Sequence, residues 1–137
     1  MTRMPEPIVF VSHFRVREGK LEPLKQGFQA NVQRLRSEKP RTLLFLGFFD
    51  ESTHRVTFVH AFADAHALDL HFEGAGERAR AAYELIEPEG WEFYGTLSDR
   101  VMDAMRREAA AAGVPLLHQP AHLGGFVRYI DGASTGG

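Results

Sequence analysis

Three of the seven histidines, His60, His66 and His71, fall within one short stretch, TFVHAFADAHALDLHF, which runs from Thr57 to Phe72. Imidazole is the side chain whose charge changes most readily near neutral pH, and its neutral form ligates metals, so such a cluster suits either a metal site or acid–base chemistry. Spacing argues against the metal. Two histidines four apart on a helix project the same way and grip one zinc ion, whereas His66 and His71 are five apart, about 140° around a helix axis. There is no cysteine to complete a ligand set. No metal site is therefore expected, and His60 and His71 become the candidate catalytic residues for a different reason. His60 shares a strand face with Val56, Phe58 and Phe62. His71 lies at the edge of the apolar stripe made by Ala67, Leu68 and Phe72. An imidazole in such surroundings is a hydrogen-bonded core residue or a pocket-lining acid or base. His13 alternates away from Phe10 and Phe14, toward the opposite face, and His118 and His122 flank a loop.

The elements that must position these residues can be read from periodicity and turn signals. PIVFVSHFRV, residues 7–16, is a strand rich in β-branched and aromatic residues. Leu21, Leu24, Phe28, Val32 and Leu35 form the stripe of an amphipathic helix over residues 20–36. RTLLFLGFFD and RVTFVHAFA, residues 41–50 and 55–63, are two strands joined by a short loop and hence antiparallel. Asp64 is a predicted N-cap for AHALDLHF; GAG at 74–76 breaks that helix, and a further helical piece puts Ala79, Ala82, Tyr83 and Ile86 on one side. WEFYGTL, residues 91–97, reads as the fourth strand after the turn-like EPEG. Ser98 caps a third helix that stops at Gly113, followed by the extended pieces VPLLH and GGFVRYI.

This order predicts an α+β fold of the ferredoxin-like βαββαβ type, an antiparallel sheet with helices on one face, extended by a C-terminal helix and strand. One domain spans residues 1–130, with its core at 7–99 and the extension at 100–130; residues 131–137 read as a flexible tail. The expected aromatic walls of a pocket between sheet and helices are Phe45, Phe58, Phe62, Phe72, Tyr83, Trp91 and Phe93, which suit a small aromatic ligand.

Composition narrows the function classes. The 137 residues, 44% hydrophobic and 25% charged, make one globular domain, and a formal charge of −2 gives nucleic acid and anionic membranes no electrostatic hold. No apolar run reaches the ~18–20 residues that span a bilayer. The start MTRMPEP lacks the apolar core of a signal peptide, so a cytoplasmic location is expected. Both faces of the first strand are apolar, Val9 and Val11 on one and Ile8, Phe10 and Phe14 on the other. Helices cover only one face of a ferredoxin-like sheet, so the second predicts a homodimer through the sheet face.

The segments FRVREGK, LEPLKQGF, LLFLGFFDESTHRVTFVHAFADAHALDLHF and EFYGTLSD together resemble the antibiotic biosynthesis monooxygenase family of dimeric α+β barrels, from Pro7 to about Asp99. The resemblance implies two subunits packed sheet to sheet, each with a pocket between sheet and helices. It implies oxidation of a phenol or quinol by dioxygen without a cofactor. His71 falls where relatives of the AL..H pattern often carry histidine, whereas His60 replaces an acidic residue of many relatives. The alternatives that the resemblance leaves open are a non-catalytic ligand-binding or structural dimer and a haem-binding or haem-degrading dimer with His71 as axial ligand.

Overall fold

A computed structural model of the chain describes residues 6–128. Its elements follow in the order β1 (Ile8–Val16), α1 (Leu21–Glu38), β2 (Thr42–Asp50), β3 (Arg55–Phe62), α2 (Ala65–Phe72), α3 (Ala75–Ala82), β4 (Ile86–Tyr94), α4 (Asp99–Ala112) and β5 (Leu116–Gln119). The strands form one sheet of order β2-β3-β1-β4-β5. Pairings among the first four strands are antiparallel, and β5 joins β4 in parallel after the α4 crossover. The architecture is the α+β, ferredoxin-like one with its helix and strand extension. Among the described residues no helix is long and apolar enough to cross a membrane.

Alternation along β1 divides the sheet into two faces. Ile8, Phe10, Ser12, Phe14 and Val16 are buried against the helices, with Val56 and Phe62 of β3 and Trp91 and Phe93 of β4 beside them. The helix α4 closes this core with Val101, Met102, Met105 and Ala109, and α2 adds Ala67 and Leu68. By contrast α1 buries only Leu35 completely. Its remaining stripe, including Leu24 and Phe28, is half-buried because the helix stands off from the sheet. Among the described residues no helix covers the opposite face, and Leu46, Phe48 and Leu117 are 47%, 59% and 43% exposed there.

Sequence expectation and structure differ most at β4. The strand starts at Ile86, not Trp91, and ends at Tyr94; Ile86 is therefore a strand residue and not part of the preceding helix. The EPEG stretch that looks like a turn lies inside the strand for two physical reasons. β5 pairs with β4 only from Trp91 onward, so Pro88 sits where β4 is an edge and its missing N–H goes unneeded. A register shift between His13 and Phe14 admits the extra residue of a bulge, and Gly90 takes φ +155° beside it. Arg15 and Arg55 pair with Glu89 across this irregularity. Of the two C-terminal pieces, VPLLH contributes a strand; among the described residues, 120–128 carry no strand and are exposed, with Leu123 and Phe126 at 102% and 80%. Residues 129–137, which include the end of GGFVRYI and the expected tail, lie outside the described residues.

Candidate active site

The space left beneath α1 is a cavity of about 850 Å³ bounded by the sheet, α1, α3 and α4. Volumes of roughly 300–1,000 Å³ accommodate small organic ligands. Its floor is aromatic. Gly47 of β2 lies under Phe28 of α1, and a side chain there would place its Cβ 2.8 Å from the Phe28 ring, so the missing side chain is what lets that ring settle on the sheet. Phe28 then stacks on Phe58 with centroids 5.6 Å apart and leans on Phe45 at 4.8 Å.

His60 enters this floor because β3 alternation turns it toward the helices, opposite Phe10 on one side and Phe45 on the other. Its ring stacks on Phe10 at 5.2 Å, lies 4.7 Å from Phe45, and is only 7% exposed as a residue. His71 reaches the same place from the end of α2. The Asp64 side chain accepts from the Ala67 N–H at 2.9 Å to start that helix, and Ser98 donates to Asp69 at 2.6 Å to tie it to the start of α4. Gly74, at φ +72°, then turns the chain sharply into α3. The result places the His60 and His71 rings 5.0 Å apart.

Neither imidazole is fully satisfied: among the described residues the Nδ1 atom of each is buried without a hydrogen-bond partner. Desolvation holds the His60 pKa down at about 3, with the nearby His71 adding to the effect and the Phe10 backbone opposing it. Desolvation also lowers His71, to about 4, assisted by the positive charges of Arg78, Arg34 and Lys39. Both rings are therefore neutral near pH 7. At the far side of the cavity the Tyr83 hydroxyl donates to Glu108; burial and this carboxylate raise its pKa well above the usual tyrosine value.

Of the residues singled out from sequence, Phe45, Phe58, His60, His71, Phe72, Tyr83 and Trp91 line this cavity. Phe62 and Phe93 do not; both are 0% exposed and belong to the core behind it, where Phe93 stacks on Phe10. His66 is exposed on α2 and stays apart from the pair. Among the described residues no three His, Cys, Asp or Glu side chains come together as a metal site. His13 lies on the open face, bonded to Glu92 and to Thr57. His118 bonds the Gly95 carbonyl at 3.0 Å. The cavity also recruits Phe10, Phe28, Arg34 and Arg78, which sequence reasoning did not assign to it. Phe28 was visible in the helical stripe, but the arginines carried no signal, since a charged helical residue reads as solvent-facing.

Solved structures share this fold. MupZ from Pseudomonas fluorescens superposes with a TM-score of 0.65 at 18% identity, covering 90% of this chain and 93% of that one. A protein from Shewanella oneidensis gives 0.52 at 24% identity, covering 66% and 88%. A provisionally assigned antibiotic biosynthesis monooxygenase from Bacteroides thetaiotaomicron gives 0.52 at 14% identity, covering 59% and 80%. At such identities the likeness is one of fold. No family model matches the chain, and no curated protein matches its sequence.

Proposed function

We propose that the chain is a cofactor-independent monooxygenase that takes a small aromatic phenol, enol or quinol into the cavity under α1. The observation that carries this reading is the pair of neutral, incompletely satisfied imidazoles, His60 and His71, set 5.0 Å apart in the wall of an aromatic cavity. A buried polar atom without a partner costs about 1–3 kcal/mol, so two of them side by side are expensive for the fold and point to use by a ligand. Pairs of this kind cluster at functional sites.

The chemistry follows from the surroundings. Neutral imidazole accepts the proton of an acidic phenol or enol, and the growing negative charge beside it raises the basicity that burial had removed. The electron-rich anion then passes electrons to dioxygen. For an activated methylene the balance is one dioxygen consumed, a carbonyl formed on the substrate carbon and one water released, with the substrate supplying all the electrons. Phe45, Phe58, Phe72, Tyr83 and Trp91 would hold the ring system flat and exclude water.

A second reading, a non-catalytic binding protein for the same ligands, is favoured by the low basicity of both histidines. Turnover of substituted hydroquinones and anthrone-type phenols in air and under nitrogen separates the two. Oxygen-dependent product formation, lost in His60→Leu and His71→Leu, is expected; oxidation that is the same without both histidines rules out the catalytic reading.

The same proposal includes a homodimer through the open sheet face, as the resemblance implies. Leu44, Leu46 and Phe48 of β2 and Leu117 of β5 are exposed at its two edges, an apolar surface of the sort that water covers poorly. A second copy offers a matching surface by symmetry. Sedimentation equilibrium at micromolar concentration should give twice the chain mass, and a stable single chain would remove this part.

A further inference from the structure

We infer that the ligand of the cavity is an aromatic oxyanion, with its negative oxygen seated between Arg34 and Arg78 beside His71 and its apolar body lying along the Phe28, Phe45 and Phe58 stack. This inference deepens the proposed function and rests on the cavity being its site.

Four observations support it. Arg34 of α1 and Arg78 of α3 both line the cavity, entering from different elements. Among the described residues neither guanidinium pairs with a carboxylate. Arg34 contacts Asn31 of its own helix at 3.0 and 3.3 Å, and Arg78 donates to the carbonyls of Glu73 and His71. Such contacts satisfy hydrogen-bonding geometry while leaving both charges uncompensated. Burial, and after it the positive charge of Arg34, lowers the pKa of Arg78, so the two cations oppose each other. Finally, the charges felt at His71 are all positive, from Arg78, Arg34 and Lys39. The one carboxylate in the wall among the described residues, Glu108, is held by the Tyr83 hydroxyl. Two like charges in the wall of one low-dielectric, aromatic cavity are stabilised by an anion between them, and guanidinium is the side chain best shaped to hold an oxyanion.

The test uses the whole chain and two probes of the same shape, 2-naphthoate and its neutral counterpart 2-naphthamide, titrated calorimetrically at neutral pH. The acid is expected to bind about tenfold or more tightly than the amide, the size of a charge-assisted hydrogen bond. Arg34→Gln and Arg78→Gln should each remove most of this preference and leave amide affinity within about twofold. Arg78 also caps the α2 carbonyls, so its variant is read only if its thermal unfolding stays cooperative. Arg34, which among the described residues bonds only within its own helix, tests the proposal without that complication. Equal affinity for both probes, or a preference that survives Arg34→Gln, overturns the inference. Hydroquinone oxidation by the same samples keeps the two ideas apart. Equal binding with turnover intact removes the oxyanion and leaves the function standing, whereas a strong naphthoate preference without turnover does the reverse.

Discussion

His60 and His13 sit on adjacent strands, β3 and β1, but on opposite faces of the sheet, and their surroundings differ in every respect that governs an imidazole. His60 is enclosed by Phe10, Phe45 and Phe62 with His71 as its polar neighbour, and its Nδ1 has no partner. His13, whose side chain is 40% exposed, bonds to Glu92 and Thr57, and Glu92 in turn accepts from Tyr94. Those bonds hold the Glu92 carboxyl below its usual range. The comparison separates two uses of one residue type. On the open face the histidine completes a polar group at little cost; under α1 it is kept neutral and short of partners, and the fold bears that cost.

Acid titration should break the comparison most sharply. His60 and His71 are lowered in the folded state from 6.5 to about 3 and about 4. The unfolded chain therefore binds more protons below pH 6.5, and stability present above that pH is lost on acidification through about pH 4 and on to about pH 3. At about 1.4 kcal/mol per unit of displacement the pair accounts for several kcal/mol. Urea unfolding followed from neutral pH down to the point where the folded state fails should show this slope, and the double variant His60→Phe, His71→Phe should flatten it. An unchanged slope would mean that the two rings are not buried as described.

The aromatic floor offers a smaller effect. Gly47→Val places methyl groups where the Phe28 ring now lies and should cost about 1–3 kcal/mol by overpacking. Phe28 would be driven into the cavity, so naphthalene-type probes should bind more weakly while the acid slope of the pair persists. Thermal unfolding with and without the probe reads both.

The open face should respond least. His13→Gln breaks a partly exposed pair, which is worth under about 1 kcal/mol, and should leave both the acid slope and the cavity affinity unaltered. A larger loss in chemical denaturation would show that His13 is more enclosed than its exposure suggests.

What the chain announced about itself depended on how local each signal was. The caps Ser98 and Asp64 act within three residues, and both start helices as expected, with Ser98 accepting from Val101 at 3.3 Å. The face of His60 followed from strand alternation alone. The start of β4 was hidden because Pro88 and Gly90 are turn residues by type, and what allows them in a strand is non-local: β5 does not reach Pro88, and a bulge against β1 takes up Gly90. Phe62 and Phe93 had the right face but the wrong depth: whether a sheet residue meets the cavity or the core depends on where α1 stands off, which no strand pattern encodes. Arg34 and Arg78 were illegible for the same reason, since their meeting depends on how α1 and α3 come together over the sheet.

The way α1 is attached has a mechanical corollary. Leu35, near its C-terminal end, is its one fully buried side chain, while Leu21 and Leu24 at the other end pack half-buried against the main core. Access to the aromatic floor from that side therefore has to part only half-buried contacts of α1, whereas entry from the α4 side would have to break the fully buried packing of Val101, Met102 and Met105.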